Sequence, residues 1–383
     1  MTDPLPDYDF SEAVGYHHGR FPPSDLDLAR MIGPLGEARE ALARYDQMLS
    51  TLRNSALLLA PMRRQEAVVS SRMEGTITTL DALLQFEAEK PDGIDDTRVA
   101  RDDTLETYLY AKAMREAEDA MRSGYGLSNT FLRNMHMTLL GSGRGQDKRP
   151  GEFKTEQNYI ADKLRKKVMF VPIEPLSLAS GLDLFHDYAA RGEALDPLIR
   201  LAVSHAEFEA LHPFDDGNGR IGRMLVTLAL WQEGMIGGPH FFLSSYFERE
   251  KDEYIERLRR VSADDDWSGW CVFFFRALAE AARESLRTTE RITDLYETMR
   301  DAFRAATGSQ WHGAALDFVF ETPVFTKRRF VQKLVTDHGL SYATPNRFAN
   351  ELVANGILST VRASSGRAPA ILSFNPLLEI LRV

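Results

Sequence analysis

Two apolar runs and the short turn between them constrain this chain most. Leu198, Leu201, Ala202 and Phe208 lead up to Leu211; Ile221, Met224, Leu225, Leu228 and Ala229 follow, each set at the spacing of one helix face. Asp196 and Pro197 give the first run an N-cap with proline in its first turn. Only nine residues, His212 to Arg220, join the two runs. Two largely buried helices must therefore grip the ends of one polar loop and hold it rigid.

The loop reads His212-Pro213-Phe214-Asp215-Asp216-Gly217-Asn218-Gly219-Arg220 and continues into the helix as Ile221-Gly222-Arg223. Asp216, Gly217, Asn218 and Gly219 favour turns, and the two glycines let successive backbone N–H groups curl toward one anion. Because this nest opens a helix, the partial positive charge of the macrodipole acts on the same anion. Arg220 and Arg223 lie three apart on one face and aim two guanidinium forks at the same ligand. Phosphate is the ligand that fits. Asp216 would repel it unless a cation lies between them, and Mg²⁺ is the expected cation. His212 titrates near neutrality, which suits it to take a proton from an attacking hydroxyl. Each feature alone has an ordinary structural explanation, such as a capping histidine, a turn or a solvated pair of arginines. Their succession in one loop–helix unit points to a nucleoside triphosphate site carrying its own base.

The stretch resembles the signature of the Fic family (filamentation induced by cAMP), His-x-Phe-x-x-Gly-Asn-Gly-Arg-x-x-Arg with an acid before the first glycine, and every specified position is met. The resemblance implies a mainly α-helical Fic fold and transfer of AMP from ATP to a Ser, Thr or Tyr hydroxyl of a target protein, self-modification included. By position it implies His212 as general base, Asp216 as Mg²⁺ ligand, and Gly217, Asn218 and Gly219 as the nest. Arg220 would clamp phosphate, Arg223 would meet the γ-phosphate, and Ile221 and Gly222 complete the nucleotide-binding stretch, with Phe214 as an apolar plug. Doc-type kinases that resemble this family carry Lys where Gly219 stands, so the glycine favours AMP transfer over phosphate transfer.

Upstream, Ser70-Ser71-Arg72-Met73-Glu74-Gly75 reads as a helix end with an acid in the last turn, where the macrodipole disfavours it. It is similar to the family's inhibitory motif, matched by Ser70, Glu74 and Gly75, which implies that Glu74 pairs with Arg223 and holds activity low. Downstream of the flexible connector Gly141 to Gly145, the segment 152–172 changes to strands around a polar turn at Asp162 to Lys167. It resembles the family's flap, on which a target segment would align by backbone pairing. Phe241 to Phe247 and Tyr254-Ile255 resemble the region enclosing adenine, although Ile255 stands where a second tyrosine is common.

A chain of 383 residues supports two or three domains. A net charge of −10 argues against nucleic-acid binding over the whole surface. The single Cys271 cannot form an internal disulfide, and the polar, acidic N-terminus and short apolar runs predict neither signal nor membrane span; a cytoplasmic protein is expected. Residues 1–25, with Pro4, Pro6, Pro22 and Pro23, read as an extended arm. The expected division is a helical regulatory module over 1–100, a Fic catalytic core over 101–305 with its small β-hairpin flap, and a C-terminal domain over 306–383. That last block reads as three helices and a hairpin, the outline of a winged helix-turn-helix. From Thr326 on it holds eight Lys or Arg against three acids. DNA contact through Asn346, Arg347, Asn350, Arg362 and Arg367 is one reading, and protein docking or packing within the chain is the favoured one. Rivals for the whole chain are removal of AMP from a modified target and an ATP-sensing DNA-binding regulator; homodimer formation stays open.

Overall fold

The structure, a computed structural model, describes residues 8–52, 55–89, 102–162, 164–190, 195–366 and 368–382. Pro4 and Pro6 of the expected arm, the domain boundary at residue 100 and the wing residue Arg367 lie outside these. In chain order the elements are β1 (Val14–Gly15), α1 (Leu28–Thr51), α2 (Ser55–Met73), α3 (Leu80–Glu89), α4 (Asp102–Arg122), α5 (Asn129–Leu140), β2 (Ile160–Asp162), β3 (Lys167–Val171), α6 (Pro175–Ala189), α7 (Pro197–Leu211) and α8 (Asn218–Gln232). There follow α9 (Ser244–Arg249), α10 (Lys251–Asp264), α11 (Trp267–Thr307), α12 (His312–Glu321), β4 (Val324–Thr326), α13 (Lys327–His338), α14 (Ala343–Ala354), β5 (Ser359–Arg362), β6 (Ile371–Ser373) and α15 (Asn375–Leu381). The fold is mainly α, as expected.

Compactness divides the chain into two units: Met1–Asp46 with Lys112–Arg283, and Gln47–Ala111 with Glu284–Val383. The first is built on α7 and α8. Asp196 Oδ1 accepts the Leu198 N–H at 2.9 Å to start α7, and every residue of α7 from Leu198 to Leu211 is buried. Close approach needs small residues. A Cβ on Gly181 of α6 would meet Leu211 Cδ2 at 2.6 Å, and one on Gly222 of α8 would meet Glu209 Oε1 at 2.3 Å. Trp270 and Phe274 of α11 fill the core beside His205 and Phe247, and Trp267 packs on His17 and Phe21 of the N-terminal arm. Burial of Glu207 is offset by the N-terminal arm, where Tyr16 Oη donates to its Oε1 at 2.7 Å and His17 Nε2 bonds its Oε2 at 2.8 Å.

The expected hairpin is β2 antiparallel to β3, paired Ile160 to Phe170, Ala161 to Val168 and Asp162 to Lys167, with a bulge after Ile160. The sequence reading missed its third strand: β1 runs parallel to β3 on the other side, giving the order β1-β3-β2. β3 is thus the central strand, with β1 and β2 at the two edges of this sheet.

In the second unit, α2 and α3 accompany a sheet of order β4-β6-β5 with α12 to α15. Thr326 caps α13 by accepting the Arg329 N–H at 3.3 Å, and Gly339 ends it in the left-handed region at φ 64. Strand β4 was not expected; Val324 and Phe325 point it into the apolar core, both buried. α3 packs on β4.

Candidate active site

His212 sits where α7 ends, in the left-handed conformation at φ 46, ψ 60, with its N–H on Phe208 O at 3.1 Å. Its Nδ1 lies 3.3 Å from the carbonyl oxygen of Glu209. A carbonyl can only accept, so Nδ1 carries the proton and the lone pair is on Nε2. That is the tautomer a general base needs.

Gly217, at φ 78, caps α8, and the first bond inside the helix is Ile221 N–H to Gly217 O at 3.1 Å. The N–H groups of Asn218, Gly219 and Arg220 therefore have no acceptor within the helix, which is the geometry of an anion nest at a helix N-terminus. Asn218 contributes through its backbone alone. Its buried side chain closes the loop, Oδ1 accepting the Phe214 N–H at 2.9 Å and Nδ2 donating to Phe214 O at 2.8 Å. Gly222 likewise serves packing against Glu209, and Ile221 is fully buried. Arg220 and Arg223 are each 3% exposed.

Asp216 Oδ1 accepts from Gly217 N at 2.6 Å and from Arg220 Nη2 at 3.3 Å. Neither bond uses Oδ2, and the side chain is 46% exposed. One half-exposed carboxylate at the mouth of an anion nest is a donor set that fits Mg²⁺, which takes one or two carboxylates and fills its remaining positions with phosphate oxygens and water.

Several residues that hold this loop escaped the sequence reading. Phe214 is fully buried and stacks on His136 of α5, ring centroids 3.9 Å apart and planes within 6°. His136 Nδ1 accepts the Gly151 N–H at 2.8 Å, so Nε2 carries the proton and donates to Asp216 O at 3.1 Å. Burial lowers this imidazole to about 4, against the pull of the Asp216 carbonyl bond, so it is neutral where the loop must work. Arg149 grips Asp215 through Nε at 3.0 Å and Nη2 at 2.9 Å. These partners lie 80 and 66 residues from the loop positions they hold, and no local pattern marks them. Tyr254, expected near adenine, is buried, and its hydroxyl lies 3.0 Å from Nε2 of His205, itself lowered to about 3 by burial and by Arg223. Ile255 is 41% exposed.

Ser70, Glu74 and Gly75 belong to the second unit. Ser70 is buried near the end of α2, Glu74 is exposed on the turn that follows, and Gly75 takes φ 91 with its N–H on Arg72 O at 2.9 Å. Thr76 Oγ1 then bonds Glu106 Oε2 at 3.0 Å, tying the turn to α4.

The chain matches two family models, the Fic/DOC family N-terminal model over residues 32–119 and the Fic/DOC family model over 126–230, together just over half of its length. It is 32% identical over 107 residues to protein adenylyltransferase fic-1 of Caenorhabditis briggsae, covering 27% of this chain and 19% of that protein. With protein adenylyltransferase Fic of Drosophila virilis it shares 26% identity over 216 residues, 55% of this chain and 40% of the relative. The matches thus span less than half of these relatives' length. Among solved structures, a Fic family protein from Desulfovibrio desulfuricans G20 superposes with a TM-score of 0.56 at 20% identity, covering 92% of this chain and 98% of that one. Fic-1 of Caenorhabditis elegans superposes with a TM-score of 0.50 at 18% identity, over 71% and 74%. With its signature loop seated between α7 and α8 and both family models matched, the chain belongs to the Fic/DOC family.

Proposed function

We propose that this chain is a protein adenylyltransferase that moves AMP from ATP to a Ser, Thr or Tyr hydroxyl of a target protein and of itself. The observation that carries the reading is the His212 tautomer: an Nε2 lone pair on the residue that leads, through a loop held rigid by Asn218 and His136, into a helix N-terminus built for phosphate. His212 Nε2 takes the hydroxyl proton as the hydroxyl oxygen attacks the α-phosphorus. The bond from that phosphorus to the β-phosphate bridging oxygen breaks, and pyrophosphate leaves. The nest of 217–219, Arg220 and Arg223 would stabilise the phosphate charge, and Asp216 would hold Mg²⁺, which supplies further charge neutralisation when bound. Catalysis is then mostly positioning and electrostatics.

The target segment would extend the 152–172 flap along β2, the edge strand that belongs to the flap itself. Glu74 would hold activity low by pairing with Arg223 in place of the γ-phosphate. In this reading residues 1–100 regulate, 101–305 catalyse, and 306–383 form a winged-helix domain. Within that last block, Arg347 bonds Thr307 O at 3.1 Å and Glu351 at 3.1 Å, while Arg362 bonds Glu89 of α3 at 2.5 Å. Cations so engaged support docking within the chain over a DNA-binding face. Among the described residues no helix is long and apolar enough to cross a membrane, and the buried thiol of Cys271 is consistent with a reducing compartment.

Incubation with labelled ATP and Mg²⁺ tests the proposal. Slow self-labelling should rise with Glu74→Gly and vanish with His212→Ala. No labelling from the Glu74→Gly chain on itself or on lysate proteins would overturn it; AMP release from an adenylylated protein, lost with Glu74→Gly, would favour de-AMPylation instead.

A further inference from the structure

Segment 154–158, which leads into β2, captures four successive carbonyls of the turn that carries His212. Lys154 Nζ donates to Leu211 O at 3.0 Å, and Asn158 Nδ2 donates to His212 O at 2.9 Å. The Lys154 backbone N–H meets Pro213 O at 2.8 Å, and Asn158 Nδ2 also donates to Phe214 O at 2.9 Å. The two side chains are joined to each other, Lys154 Nζ to Asn158 Oδ1 at 2.8 Å. We propose that Lys154 and Asn158 are positioning residues for the transfer reaction, locking the base in its left-handed backbone conformation and tying it to the strand on which a target would dock.

Three physical points carry this. A helix leaves its last carbonyls without donors, and a cation there is favoured by the macrodipole, so an ammonium on Leu211 O is well placed. The left-handed conformation of a residue other than glycine is sterically disfavoured and persists only where neighbours over-determine it; the captured carbonyls on either side of His212 do so. Lys154 is 3% exposed. Desolvation pulls its ammonium down to about 7, with Asp215 and Glu174 acting in the other direction, so the group sits in a dry pocket where hydrogen bonds are strong. Asn158 is two residues from Ile160, the first residue of β2, so a displacement of the docking edge reaches the His212 carbonyl through little chain.

The inference rests on the adenylyl-transfer reading and deepens it. The test uses the full chain carrying Glu74→Gly, assayed for self-labelling over a range of ATP concentrations. Lys154→Met should lower kcat by on the order of 100-fold, the effect of roughly 1 Å of misplacement, while KM for ATP stays within about twofold because the nest is untouched. Lys154→Arg, which keeps a donor on Leu211 O, should recover at least a tenth of the activity. Asn158→Asp keeps the shape and removes the two donors; a loss of at least about tenfold in kcat with the melting temperature retained is expected, and it stands as the measurement if Lys154→Met does not fold. An unchanged kcat in Asn158→Asp, or losses in kcat and KM that simply follow falling thermal stability without recovery by arginine, would overturn the positioning role. If the Glu74→Gly parent itself shows no transfer, the fault lies with the underlying reading.

Discussion

Replacing His136 by Phe should destabilise the first unit strongly at neutral pH and much less in acid. Phenylalanine keeps the ring stacked on Phe214 but leaves the Gly151 N–H and the Asp216 carbonyl without partners. Both bonds are part-buried, and a buried orphan costs about 1–3 kcal/mol, so the variant should lie up to about 2–6 kcal/mol below the parent at pH 7.5. The parent's advantage then fades on acidification. A histidine whose folded pKa is lowered to about 4 stays neutral while the unfolded chain, titrating near 6.5, takes up a proton. The unfolded state binds more protons throughout that window, so stability falls as pH drops from about 6.5 toward 4, by about 1.4 kcal/mol per pH unit. At pH 4.5 the loss is about 3 kcal/mol, absent from the variant, and groups common to both chains cancel in the difference. The assay is urea unfolding followed by tryptophan fluorescence, to which the buried Trp267 and Trp270 report from the first unit, at fixed ionic strength from pH 7.5 to 4.5. A gap between the two chains that stays constant across this range would refute both the neutral state of His136 and the tautomer derived from it.

Other perturbations follow from the same geometry. Phe214→Ala empties a fully buried site and should cost about 3–5 kcal/mol, read as a lower urea midpoint, with self-labelling lost in parallel. Gly222→Ala drives a methyl to 2.3 Å from Glu209 Oε1 and should cost about 1–3 kcal/mol while lowering kcat, because the buried Glu209 carboxylate must move out of its place between α7 and α8. Arg149→Ala removes a half-exposed pair with Asp215, side chains 34% and 28% exposed, so stability should change by less than about 1 kcal/mol. Its effect belongs in turnover: kcat should fall roughly tenfold as the loop loses its outer anchor, measured by steady-state labelling.

The loop, the two helices that hold it and the family they imply are legible in the residues alone, because those features are local. A helix start at Asp196-Pro197, an apolar period, two glycines and the order His212 to Arg223 all lie within thirty residues and need no knowledge of what packs on them. Local patterns also found the hairpin and most C-terminal helices. They could not show that β1 pairs with β3, that β4 joins the C-terminal sheet, or that compactness groups Met1–Asp46 with Lys112–Arg283, since such pairings depend on distant chain. Nor could they separate Asn218, whose side chain closes its own turn, from the glycines beside it. That His136, Arg149, Lys154 and Asn158 converge on this loop is visible only once the chain is folded. A buried donor or acceptor has to find its partner in space, and at separations of 54 to 80 residues nothing in the local spacing records which partner it finds.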